Sequence, residues 1–353
     1  MRRRGWAVLV VAGLGLAACA GPAVETPHVS IIDLANDPAA GIAPVAADRA
    51  EVVPAGTLRV TLEELLARHG QTAVEVMRAL GSSAPNARLR VDALSANTVD
   101  LTRAVGLVYG PVGARAFNQL WAEHTQFLID YAVARAHSDG AAADEARAHL
   151  ADYEHDFASM LDTATEGALP ADAVRSLLAR HVRQMLGQLD RLLAGDAPGS
   201  VAVALAGQRY LTEIGNALAT GFARQQPVAF PGSTEDDRVA YCSLVGRAIS
   251  ANTLLTATDP ALDEGRLAAA AEAALPRALR PLPPSLRATL LAFDASPTRA
   301  RGTGAAPSAA QAYLDALGRV IDHRATQPPV SIAAEAPANH AGWSLAKALA
   351  GVG

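Results

Sequence analysis

The stretch that decides the fold is Phe117–Ala136, FNQLWAEHTQFLIDYAVARA. Its apolar residues stand at Phe117, Leu120, Trp121, Phe127, Leu128 and Tyr131, the i, i+3, i+4, i+7 spacing of one helix face. His124 lies on the same stripe, one turn after Leu120. The cassette recurs on both sides. Leu65-Leu66-Ala67-Arg68-His69 and Leu177-Leu178-Ala179-Arg180-His181 are identical strings, and Leu120-Trp121-Ala122-Glu123-His124 is the middle copy. The three histidines are therefore 55 and 57 residues apart.

Working outward, each cassette heads an αα-hairpin. Thr61-Leu62-Glu63-Glu64 reads as a capping box for a first helix over about 62–80, broken at Gly81–Asn86. A second helix over about 88–108 ends at Gly110-Pro111. The middle pair spans about 114–137 and 141–164, joined around Ser138-Asp139-Gly140, and Gly167 closes it as a C′ residue. Pro170 opens the third pair, whose break is Gly195–Gly199 and whose second helix runs over about 200–222. Residues 57–224 are thus three hairpins with a period near 56. Such units stack as a solenoid or close as a bundle, and the absence of polar end caps favours closure.

The rest of the chain is less regular. Residues 20–56 show no sustained helical period and read as a tether within 19–56. Residues 225–237 read as a connection. Helices are expected near 236–257, 261–279, 284–293 and 307–325, forming a smaller helical domain over 235–325. The tail 326–353 reads as loose, with a short helix near 342–350; His340 and Trp343 are too isolated there to interpret.

Composition agrees with an all-α protein. Half of the 353 residues are hydrophobic but only 4% are aromatic, so Ala, Leu and Val must fill the core. Alanine favours helix, and β-branched or aromatic runs are scarce. Lys347 is the only lysine.

The N-terminus has its own logic. Arg2–Arg4 form a positive region and Trp6–Leu16 an apolar one, as in an export signal over 1–18. Leu16-Ala17-Ala18-Cys19 resembles the bacterial lipobox. That resemblance implies cleavage before Cys19, acylation of its thiol, and a stable anchor on the extracytoplasmic face of a cell membrane. Removal of residues 1–18, with three arginines and no acid, takes the formal net charge from −5 to −8. No basic stripe is present, which excludes nucleic acid as a partner. With Cys19 lipidated, Cys242 stands alone and reads as a buried inert thiol. The LWxxH segment with its aromatic stripe and the later LLxxH resemble secreted or lipid-anchored bacterial helical proteins of unknown function over roughly 60–224. That resemblance implies a fold and no activity.

A buried histidine needs a hydrogen-bond partner. Reflection of each histidine through its inter-helix break points to one. His69 reflects to about 99, next to Asp100; His181 to 213, which is Glu213; His124 to 153, with Asp156 within one turn. Three chemistries follow. In a structural reading each histidine donates to its carboxylate and fixes hairpin register. In a metal or haem reading His69, His124 and His181 act with Asp100, Asp156 and Glu213, since imidazole plus carboxylate suits Zn, Fe, Mn or Cu. In a catalytic reading a His–Asp pair serves as general base. No nucleophile elbow, P-loop, dinucleotide fingerprint, CxxC or HExxH appears. The leading expectation is a membrane-anchored lipoprotein, a non-catalytic binding or scaffold module with no cofactor, facing an envelope protein or small ligand. The alternatives are a transition-metal-binding envelope lipoprotein and an unfamiliar envelope hydrolase.

Overall fold

The structure, a computed structural model, describes residues 52–84 and 87–235. It also describes 239, 240, 242, 243, 246, 247, 250, 254, 340, 341, 343, 344, 346 and 347. The signal segment, Cys19, most of the tether and the helices expected over 261–325 lie outside the described residues.

The protein is an all-α helical bundle. Among the described residues, five helices follow in order over 55–225: α1 Ala55–Gly81, α2 Ala87–Ala136, α3 Gly140–Ala164, α4 Ala171–Leu193 and α5 Ala197–Gln225. There is no strand among the described residues. α2 is one run in name only, because Gly110 has φ 67° and ψ −172°. Eight residues either side of it, Thr102 Oγ1 donates to Asn118 Oδ1 at 3.0 Å. A straight helix would hold those residues about 24 Å apart. The chain therefore reverses at Gly110, and Pro111 starts the second arm where its missing N–H is harmless.

The six arms pack in consecutive antiparallel pairs. Asn97 donates to the Leu65 carbonyl and Arg90 reaches Glu75, so partner numbers fall as the others rise. His124 with Tyr153 and Phe127 with His149 do the same across α2 and α3. Arg180 with Tyr210 and the Gln188 carbonyl with Ser200 repeat it across α4 and α5. α5 then returns to α1: Gln208 donates to the Ala67 carbonyl at 2.7 Å. A Cβ at Gly215 would stand 2.9 Å from the backbone of Glu63, so this pair approaches too closely for any larger residue. First and last helices in contact make a closed bundle.

Helix α1 begins seven residues earlier than its expected start near 62. Pro54 is its N-cap, and Thr61 lies inside it. The tertiary environment overrides the local capping signal. Val53 and Ala55 donate backbone N–H groups to Ala229 and Pro231, and Ala55 and Leu58 are buried. Asp139 and Asp196 cap α3 and α5 by accepting from Ala142 and Gly199.

Two apolar clusters fill the bundle. One holds Leu62, Leu66, Trp121, Phe157, Leu178, Leu211 and Phe222. The other holds Val76, Met77, Leu94, Leu128, Tyr131, Leu150, Met185 and Leu189. Beyond the bundle, the described residues of 239–254 and 340–347 are helical and reach α1. Within the stretch read as loose, Trp343 is fully buried, its indole donates to Ser250, and Lys347 and His340 both pair with Glu64 on α1. No helix among the described residues is long and apolar enough to cross a membrane.

Candidate metal centre

The three cassettes place their histidines at one level. In each, an apolar residue of the first cluster precedes the histidine by three: Leu66, Trp121 and Leu178. A residue of the second cluster follows within four: Ala73, Leu128 and Val182. The histidines are thus a polar layer between two greasy ones. His69, His124 and His181 are 0%, 1% and 4% exposed.

The layer converges. His69 Nε2 and His124 Nε2 are 3.4 Å apart. The ring centroids of His69 and His181 are 5.8 Å apart. One ring nitrogen from each histidine lies within 4.8 Å of the others, and no other such group of three ligating side chains occurs among the described residues. Tyr153 stacks on His124 at 4.6 Å, and Trp121 packs against both His124 and His69.

The carboxylates expected beside them are elsewhere. Asp100 pairs with Arg68 and Arg103 at the surface. Asp156 and Glu213 are exposed. Reflection through a hairpin break finds the right level but not the right face, because each residue turns a helix by about 100°. Asp100 does lie opposite this level of α1, yet it meets Arg68, the residue before His69. At the other two positions the inward groups are Tyr153 and Leu211 with Ile214. The imidazoles therefore face rings and hydrocarbon, and the His–carboxylate pairing is corrected.

This leaves the ring nitrogens without ordinary partners. One of His69 and His124 can donate Nε2–H to the other. His69 Nδ1, His124 Nδ1 and both nitrogens of His181 are buried with no hydrogen bond. Each such orphan costs about 1–3 kcal/mol. Burial, reinforced by the other two imidazoles, holds His69 well below its ordinary value. Burial and then His181 bring His124 down to about 3, against the pull of the Trp121 carbonyl, which makes no ordinary hydrogen bond to Nδ1. Burial alone brings His181 down to about 4. All three rings are neutral, the form that binds metal.

The space beside them is small. A cavity of about 20 Å³ is lined by His124, His181, Trp121 and Tyr153, with hydrocarbon from Leu66, Leu178, Leu211 and Ile214. That holds an ion or one water and is far too small for haem. The catalytic reading finds no support among the described residues. Thr72 and Thr125 donate to backbone carbonyls within their own helices. Cys242 is buried and its thiol is pushed up to about 12, mainly by desolvation. His137, His149 and His155 are peripheral and exposed, outside the layer.

The sequence reading gave Glu64, His340, Trp343 and Lys347 no partners. No local signal could have found them, since their contacts join residues far apart in the chain. Comparison of the whole chain with protein-family models, curated proteins and solved structures finds no match.

Proposed function

We propose that this protein is a metal-binding helical bundle, held to the outer face of a membrane through lipidated Cys19, with one transition-metal ion coordinated by His69, His124 and His181. One observation carries the reading: three buried, neutral imidazoles converge, one ring nitrogen of each within 4.8 Å of the others, and neither nitrogen of His181 has a hydrogen bond. Two nitrogens bound about 2.0–2.1 Å from one ion stand about 3.3–3.6 Å apart at tetrahedral or trigonal angles. The 3.4 Å between His69 and His124 suits that spacing, and a rotation of His181 closes the set. We read it as a binding site: among the described residues no serine, threonine or cysteine lines the cavity beside it. The lipobox and the resemblance to secreted helical proteins support an envelope setting.

Elemental analysis of protein purified without a polyhistidine tag tests this. About one transition-metal ion per chain is expected after loading and desalting, and His69→Gln, His124→Gln and His181→Gln should each abolish retention. A wild-type chain that comes off the column metal-free after loading would overturn the proposal.

A further inference from the structure

The charge around the three imidazoles selects among metals. Every buried acid in the neighbouring layers already has its own cation. Glu63 is paired with Arg59, Glu75 with Arg90 and Glu64 with Lys347. Asp100 is taken by Arg68 and Arg103, and Asp156 and Glu213 face outward. No carboxylate or thiolate joins the histidine cluster among the described residues. An ion held there keeps its full charge in a hydrocarbon shell.

The cost of burying an uncompensated ion scales with the square of its charge. A divalent ion is penalised about four times as heavily as a monovalent one of similar size. A divalent ion also wants at least a fourth ligand, normally water or hydroxide. Besides the imidazoles, the cavity lining offers one indole N–H and one phenol, and neither is an anion. A fourth-position water could turn only to those two groups, the low end of the two to four polar partners that hold buried water in place, and neither would offset a second charge on the ion. A closed-shell monovalent ion that accepts three nitrogen donors in a plane needs none of this.

Building on the metal-binding reading, we propose that the site is built for monovalent copper, Cu(I), held by His69, His124 and His181 without a fourth ligand. Imidazole suits copper, and the neutral donors with the dry shell favour its lower charge. The same arrangement disfavours oxidation to Cu(II), because that step adds a second uncompensated charge.

The test uses the full chain stripped of metal and loaded without oxygen from the Cu(I)–bicinchoninate complex. One Cu(I) per chain should be withdrawn from the chelator and should resist about a hundredfold excess of Zn²⁺. On exposure to air the copper protein should stay silent in electron paramagnetic resonance. Leu178 lines the cavity one turn before His181. Leu178→Glu should raise Zn²⁺ affinity at least about tenfold over Leu178→Gln, which has similar shape and no charge. Displacement of copper by equimolar Zn²⁺, or a full Cu(II) signal in air, would overturn the copper assignment and leave the metal site standing. Retention of neither ion would overturn the metal site itself. If Leu178→Glu fails to fold, the wild-type competition and the air-exposure spectrum decide the matter alone.

Discussion

A neutral imidazole carries one donor and one acceptor, and His181 uses neither. That single residue shows how the metal-free bundle responds to acid. In the unfolded chain each histidine takes a proton near pH 6.5. In the fold, burial holds His181 to about 4 and His124 to about 3, with His69 also well below its ordinary value. Between those limits the unfolded state binds more protons, so the stabilisation is full above about pH 6.5 and is lost as pH falls. The shift of His181 from 6.5 to about 4 corresponds to something on the order of 3 kcal/mol by pH 4. Urea unfolding of metal-free protein should show a midpoint that drops steeply between pH 7 and pH 4.5. The triple variant His69→Leu, His124→Leu, His181→Leu should show a much flatter dependence over the same range. Equal slopes in the two proteins would mean that the rings are not buried neutral. The sequence made the apolar setting of these residues legible, because the stripe around Phe117–Ala136 includes His124 at helical spacing. It could not reveal that the rings meet one another, since convergence depends on how three hairpins are rotated about their axes.

The punctuation between helices was the most readable feature. Gly110-Pro111, Ser138-Asp139-Gly140, Gly167 and Gly195 all mark real ends, because each sits where the backbone leaves the helical region or a side chain caps the next helix. Glycine acts through local conformation, and local conformation survives in sequence. The start of α1 was not readable, because bonds to Ala229 and Pro231 set it from a distance. The partner face in each hairpin was also missed: helix spacing gives height directly, whereas azimuth depends on packing. Two glycines separate these effects. Gly110 has φ 67° and ψ −172°, a region almost closed to other residues, so Gly110→Ala should destabilise by about 1–3 kcal/mol. Gly187 is inside α4 with open space where a Cβ would stand, so Gly187→Ala should stabilise by about 0.5–1 kcal/mol. Paired denaturant titrations check both signs. A neutral Gly110→Ala would mean that the reversal between the arms of α2 does not depend on that conformation.

At the scale of the whole chain, the bundle does not stand alone. Helix α1 carries His69 and also anchors three distant segments: Arg59 donates to the Thr234 carbonyl and to Ser243, and Glu64 receives both His340 and Lys347. These contacts join residues 175 to 283 positions apart, which is why composition and periodicity made 326–353 look loose. Glu64 is the pivot. Burial by itself would raise its carboxyl, but the His340 hydrogen bond and the Lys347 ammonium outweigh that and hold it below its ordinary value. In return, Glu64 raises His340 above its own ordinary value, against burial, Lys347 and Arg68. The sign of the pH effect follows from His340. Its charged contact with Glu64 contributes fully below about pH 6.5, and the contribution is lost as pH rises through the higher folded value. In the wild-type chain Lys347 also pairs with Glu64, at its other carboxylate oxygen. Lys347→Met removes that cover. At pH 5.5 protonated His340 still meets the carboxylate, and the loss should be about 1 kcal/mol or less. At a pH above the raised folded value of His340 the imidazole is neutral, the mostly buried carboxylate has no full charge opposite it, and the loss should reach about 2–3 kcal/mol. Urea unfolding of the two proteins at both pH values, followed by helical circular dichroism, reads the difference directly. His340→Gln in the Lys347→Met background should remove the pH dependence of that loss. A Lys347→Met penalty that is the same at both pH values would mean that His340 does not share Glu64. No penalty at either pH would mean that residues 340–347 do not hold α1 at all.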